Sequence, residues 1–172
     1  MRFLVDDTKP TDSIDHHWAQ VSYDGQPDSW VPDIGRHWHK HHDEYMQVLS
    51  GRIAFTLDDE HVTLTPDSGV LHIPKLHVHS LKFFAGEPAT FTEKTDPAGG
   101  FKEEFFEDLL EQGKPTFVTA MRSFYDGDTY VACPGGVKMI DEVVTTVLGG
   151  TMKLLYPRKR AVVSSASAAA TK

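Results

Sequence analysis

Between Tyr45 and Phe84 apolar and polar residues change places every few positions. The runs 45–49, 52–57, 61–65, 70–73 and 78–84 are rich in β-branched and aromatic residues. Turn formers separate them: Ser50-Gly51, Asp58-Asp59-Glu60, Pro66-Asp67-Ser68-Gly69 and Pro74-Lys75. Alternation is clearest in Ile53, Phe55 and Leu57, followed across the acidic turn by Val62 and Leu64. Short strands at this spacing predict an antiparallel barrel or sandwich. Residues 1–35 are polar, with scattered Trp18, Tyr23 and Trp30, and predict an irregular lead-in holding one or two short strands.

After Pro97-Ala98-Gly99-Gly100 the period becomes helical. Phe101, Phe105, Phe106, Leu109 and Leu110 share one face, and Glu103, Glu104, Glu107 and Asp108 sit in the early turns, where the helix dipole favours acids. Gly113 and Pro115 supply a stop. A second helical run carries Phe117, Val118, Met121, Phe124 and Tyr125 up to Asp126-Gly127-Asp128. A third carries Met139, Ile140, Val143, Val144, Val147 and Leu148 and is expected to end at Gly149-Gly150. These stripes are expected to dock on the β-structure or on a second subunit, so a homodimer is anticipated. The chain divides as 1–95, a β-barrel with its leading segment; 96–157, a helical extension packed on it; and 158–172, a mobile tail rich in Ala and Ser.

Composition narrows the function. The chain of 172 residues has 40% hydrophobic and 24% charged residues, as an ordinary globular protein does. A net charge of −8 argues against a phosphate-tracking surface, and Arg158-Lys159-Arg160 is the one basic run. No nucleic-acid partner is expected. No apolar stretch reaches the roughly 18–20 residues of a membrane span, and residues 1–9 lack a secretory core, so a cytoplasmic protein with no membrane partner is expected. Cys133 is the single cysteine, which rules out an intrachain disulfide.

Seven of the ten histidines fall in two stretches: His37, His39, His41 and His42, then His72, His77 and His79. On a strand, residues two apart point the same way, so His37 and His39 can present imidazoles to one point. Glu44 lies at an odd offset from His39. It can rejoin that face only if the chain turns through 40–43 and the strand beginning at Glu44 returns beside the first. Neutral imidazoles with one carboxylate suit a divalent iron, manganese, nickel, copper or zinc ion.

These residues carry a family resemblance. His37-Trp38-His39, four residues, Glu44, six residues and Gly51 resemble the first cupin motif, H-x-H-x(3,4)-E-x6-G. Pro74-Lys75-Leu76-His77-Val78-His79 resembles the second, P-x-G-x-x-H, with Leu76 at its glycine position. The stretch between the motifs has the family's usual length. Val31 stands where the first motif opens on glycine, and Phe83 where the second closes on asparagine. The resemblance implies a mainly β fold, a conical antiparallel barrel (double-stranded β-helix), here with two to three C-terminal helices. It implies one metal ion held by His37, His39, Glu44 and His79, with iron the first expectation. A rival register uses His39 and His41 as the first pair.

Four protein ligands leave positions for water or substrate, which suits catalysis better than a closed structural site. The function expected from the resemblance is a metal-dependent oxygenase acting on a small enolic, phenolic or carboxylate metabolite, as in small-molecule secondary metabolism. The alternative is a Lewis-acid isomerase, dehydratase or decarboxylase, which needs a further base. His77, His72 and Tyr45, with His41, are the candidates. A non-catalytic small-molecule-binding protein is the third reading. Met46, Val48, Phe55 and Phe83 are expected to face the interior.

Overall fold

The computed structural model describes residues 1–158, so the tail and all of the basic run but Arg158 lie outside the described residues. The lead-in holds β1 (Arg2–Val5) and β2 (His17–Tyr23). There follow β3 (Asp33–His39), β4 (Asp43–Ser50), β5 (Ile53–Leu57), β6 (Glu60–Leu64), β7 (Val70–Ile73), β8 (His79–Phe83) and β9 (Ala89–Asp96). Then come α1 (Phe101–Leu109), α2 (Phe117–Asp126), a short β10 (Thr129–Val131) and α3 (Lys138–Leu155).

The strands form two five-stranded antiparallel sheets, ordered β1-β2-β9-β4-β7 and β10-β3-β8-β5-β6. The described residues are thus mainly β with three α-helices. Ladders among the described residues resolve as these two sheets and do not by themselves close a cone. The core lies between them: Tyr23, Met46, Val48, Ile73 and Phe91 from one sheet meet Ile53, Phe55, Leu81 and Phe83 from the other. Period-two alternation produces this, since every second side chain of a strand faces the opposite sheet. Gly51 makes the β4–β5 turn at φ +72°, and a Cβ there would run into Pro88 and Ala89.

Two expectations about this frame need correction. The strand carrying Glu44 does not pair with the strand carrying His37 and His39. β3 pairs with β8 and β10, whereas β4 pairs with β7 and β9. The turn at 40–42 carries the chain from one sheet to the other, so Glu44 faces the histidines across the interior. Side chains converge across a sandwich core as readily as along a sheet.

The second correction concerns α3, which runs through Gly149 and Gly150 to Leu155. Its buried residues are Asp141, Thr145 and Gly149, while Met139, Val143 and Val147 are 57–72% exposed. The helix docks by hydrogen bonds and close approach. Asp141 accepts from Trp38 Nε1 at 2.9 Å and from the Cys133 amide at 2.8 Å. Thr145 Oγ1 accepts from the Val131 amide at 3.2 Å. A Cβ on Gly149 would lie 2.5 Å from the Met121 carbonyl oxygen and from Tyr125 Cβ. That glycine permits α2 and α3 to approach and does not end the helix.

α1 buries Phe105, Phe106 and Leu109 against Ala19 and Phe3 of the β1–β2 edge, with α2 adding Ala120 and Phe124. The Thr116 hydroxyl caps α2 by accepting from the Thr119 amide. After α2 the chain returns as β10 beside β3, pairing Thr129 with His39 and Val131 with His37. Three residues were too few to register as a strand in the sequence.

Candidate metal centre

β3 places two histidines by means of an irregularity. Its register with β8 runs Ile34 to Leu81 and then His37 to His79, three residues against two. The bulge at 35–36 turns the strand so that Ile34, His37 and His39 all face inward. His79, on β8, stands directly opposite His37. Glu44 arrives from the other sheet. Ligand atoms of His37, His39, Glu44 and His79 all lie within 4.8 Å of one another, and all four residues are buried.

The hydrogen bonds fix the tautomers. His37 Nδ1 lies 2.8 Å from the Gly35 carbonyl oxygen, His39 Nδ1 2.9 Å from that of Asp128, and His79 Nδ1 3.1 Å from that of His77. A carbonyl oxygen can only accept, so each Nδ1 carries its proton, and in the neutral ring Nε2 presents a lone pair. Burial holds His37 well below the usual imidazole range and takes His39 down to about 4, so both are neutral at pH 7. Glu44 Oε1 lies 3.1 Å from His39 Nε2, and Oε2 lies 3.1 Å from His79 Nε2. Yet His39 Nε2, His79 Nε2 and Glu44 Oε2 have no hydrogen-bond partner. Lone pairs facing a carboxylate without a proton between them are unfavourable unless a cation sits among them. The donor set therefore fits a divalent metal ion.

Leu76 occupies the glycine position of the second motif at φ +70°, and its amide donates to the His39 carbonyl at 2.7 Å. The position keeps the left-handed backbone that favours glycine although the residue differs.

Four residues around the cluster were not anticipated. Lys102, in the first turn of α1, buries its ammonium against Glu44 Oε1 at 2.5 Å and Glu93 Oε1 at 3.0 Å. Burial opposes the charge on Lys102, but Glu44 and Glu93 outweigh it and raise its pKa. Burial likewise opposes ionisation of Glu44, and His39 with Lys102 overcomes it, holding the carboxyl well below its usual range. For Glu93 burial prevails over Lys102, and its pKa is raised. His42 is 3% exposed and its ring lies tilted at 30° against that of His39, with centroids 4.2 Å apart. Its Nδ1 lies 2.9 Å from an Asp128 carboxylate oxygen, while its Nε2, 3.6 Å from Glu44 Oε1, has no hydrogen-bond partner. Burial works against charging His42, yet Asp128 and Glu44 raise its pKa. Asp128 also accepts from the amides of Lys40 and His41, fixing the 40–42 turn.

Signals for these residues existed in part. Lys102, Phe105, Phe106 and Leu109 follow i, i+3, i+4 and i+7 spacing, which puts a lysine on the buried stripe. Glu93 shares inward parity with Ala89 and Phe91 once β9 is known. His42 belongs to the first histidine stretch, but nothing local tells it from His41, and nothing local marks Asp128.

The base candidates face elsewhere. Tyr45 follows Glu44 directly, so it lies on the opposite face of β4. His72 pairs with it across the ladder and stacks on it at 4.7 Å, with Nε2 2.8 Å from Asp43. His77 is exposed in the loop before β8 and bonds Asp58 at 2.8 Å. None of the three reaches the cluster. His41, the rival first-pair residue, is exposed as well.

A cavity of about 200 Å³ opens on the cluster. His37, His39, Glu44, Glu93 and Lys102 line its polar side, and Met46, Leu81, Phe105 and Phe124 its apolar side. No helix of the described residues is long and apolar enough to cross a membrane.

Residues 30–93 match the family model of the cupin domain. The cupin domain of Schizosaccharomyces pombe Cnp3 is 16% identical, with 59% of this chain and 64% of that chain covered and a TM-score of 0.39. A cupin-2 domain containing protein from Shewanella frigidimarina is 23% identical, with 47% and 69% covered and a TM-score of 0.36. The TDP-quinovose 3,4-ketoisomerase WlaRB from Campylobacter jejuni is 22% identical, with 45% and 59% covered and a TM-score of 0.37. The chain spans less than two thirds of the length of the Cnp3 domain and of the ketoisomerase. No curated protein matches the sequence.

Proposed function

We propose that this chain, whose residues 30–93 match the family model of the cupin domain, is a metal-dependent oxygenase acting on a small enolic, phenolic or carboxylate metabolite. The observation that carries this reading is the convergence of His37, His39, His79 and Glu44 in one buried cluster, in which His39 Nε2, His79 Nε2 and Glu44 Oε2 have no hydrogen-bond partner. His37, His39, Glu44 and His79 are the proposed ligands. When bound, a redox-active ion such as iron would supply substrate binding and dioxygen activation at the positions these donors leave open. Lys102 balances one of the two nearby carboxylate charges. Phe105, Phe124, Leu81 and Met46 exclude water from the side where substrate would lie.

A second reading, a Lewis-acid isomerase, dehydratase or decarboxylase, gains support from His42. Asp128 holds its Nδ1 proton, so Nε2 is oriented to take a proton beside Glu44. Oxygen decides between the two. Protein purified without chelator should carry about one metal ion per chain by elemental analysis, and should consume oxygen with phenol or β-dicarbonyl substrates only when metal is present. Turnover that persists anaerobically selects the second reading. Glu44→Ala and His79→Ala should each lose the metal while keeping the β circular-dichroism signature, and metal retained in both would end the ligand assignment. Loss of metal in His41→Ala with retention in His37→Ala would restore the rival register.

A further inference from the structure

A second, larger cavity adjoins the first. It has a volume of about 380 Å³ and lies between the inner sheet surfaces and the end of α1, with Tyr23, Trp30, Phe83 and Phe91 on its walls. Ile34, Leu81, Phe106, Leu109 and Pro115 line both cavities and form a wall that the two chambers share. The inner chamber by itself is below the roughly 300–1,000 Å³ of small-molecule sites, and the outer chamber brings the pair within that range. Chemistry is divided between them. Imidazoles, carboxylates and the ammonium are gathered in the inner chamber, whereas the outer one is walled by aromatic and aliphatic groups. Its few polar groups, Asp24 and Ser29 among them, lie on exposed or half-exposed loop positions beside β2.

We propose that the two chambers take a single elongated, amphiphilic carboxylate or enolate, its oxygen-bearing head at the histidine–glutamate cluster and an uncharged apolar tail running past Ile34 and Leu81 toward Trp30. This rests on the proposed metal centre for the head and on the outer chamber alone for the tail. Donor chemistry sets the head. The inner chamber gathers imidazoles, two carboxylates and the buried Lys102 ammonium, so an oxygen-bearing group able to bind the proposed ion belongs there. The Asp24 carboxylate disfavours a second negative charge at the far end. The ligand class is therefore medium-chain or aryl-substituted carboxylates and enolates, not diacids or sugars.

Calorimetry on cobalt-loaded protein with straight-chain carboxylates from butanoate to octanoate tests this, and the cobalt visible band reports engagement of the head. Each methylene transferred from water gains about 0.8 kcal/mol, so affinity should rise about fourfold per carbon. Suberate should bind at least tenfold more weakly than octanoate. Ile34→Trp, which narrows the shared wall, should flatten the series, and Trp30→Ala, at an exposed position, should weaken octanoate selectively. A length series flat within twofold, or suberate equal to octanoate, overturns the proposal. The same gradient measured with butanol to octanol on metal-free protein isolates the tail chamber. A protein that takes up no cobalt yet shows the alcohol gradient would refute the metal reading and keep the outer chamber, whereas cobalt uptake with no gradient in either series refutes the chamber.

Discussion

Replacing Lys102 with methionine isolates one contribution to the centre, because the unbranched side chain stays within one atom of its length and loses its charge. The ammonium makes two buried contacts, to Glu44 Oε1 at 2.5 Å and to Glu93 Oε1 at 3.0 Å. Removing one partner of a buried ion pair costs roughly 3–5 kcal/mol, since the opposite charge is left without compensation. Here two carboxylates lose their shared cation. A domain of this kind has about 5–15 kcal/mol of total stability, so the loss is a large share. The folded-state pKa of Lys102 is raised; its contribution is therefore complete at every pH below the ordinary lysine range of about 10.4 and fades only above it. The deficit of Lys102→Met should shrink toward pH 5, as Glu93, already held above its usual range by burial, takes up a proton. A divalent ion should also shrink it, because Glu44 then has another cation to face. Urea unfolding of Lys102→Met and the parent protein, in EDTA and again with saturating zinc, reads both effects. We expect a loss of about 3–5 kcal/mol in EDTA, less than half of that with zinc, and zinc affinity raised at least tenfold. A loss below about 1 kcal/mol in EDTA, or the same loss in both buffers, would refute the idea that Lys102 stands in for metal charge at Glu44.

Other perturbations test the frame around the centre. His39 has its pKa depressed to about 4 by burial, so the unfolded chain binds the extra proton between about pH 6.5 and 4. Metal-free stability should fall by about 3 kcal/mol from this residue as pH drops through that window, and a flat urea midpoint from pH 7 to 4.5 would contradict it. Asp141→Ala leaves the buried Trp38 N–H and the Cys133 amide without their acceptor. At about 1–3 kcal/mol each, the loss should reach roughly 2–5 kcal/mol, with Asp141→Asn milder because an acceptor oxygen remains; equal stability of all three proteins would show that this contact does not hold α3. Gly149→Ala forces a methyl against the α2 backbone and should cost about 1–3 kcal/mol. Gly150→Ala meets only the edge of the Tyr125 ring at 3.4 Å and should be neutral or gain up to about 1 kcal/mol from helix propensity. Thermal unfolding of the two variants distinguishes them, and identical midpoints would count against close helix packing at Gly149.

What sequence could reveal here was local. Strand period places Met46 and Val48 on one face, and the cupin resemblance carried by the motifs from His37 to Gly51 and from Pro74 to His79 implies four donors. The acidic first helix and the turns at Ser50-Gly51 and Pro66–Ser68 follow from the same short-range rules. Facing direction beyond the single strand was not legible. Parity shows that His37 and His39 agree, but the β3 bulge decides where both point, and sheet pairing decides that Glu44 meets them from the opposite sheet. His72, His77 and Tyr45 looked available for chemistry because they are near the motifs in sequence, but the β4–β7 ladder puts Tyr45 and His72 on the outer face and His77 sits in the exposed loop before β8. α3 reverses the usual reading of an apolar stripe: its Asp141 and Thr145 bond to groups on Trp38, Cys133 and Val131, so its polar face is the one that docks. Lys102, Asp128 and Glu93 reach the centre from 49–84 positions beyond Glu44. Periodicity records which residues share a face, whereas burial of a charge depends on the partner waiting on the other side, and only the folded chain supplies that partner.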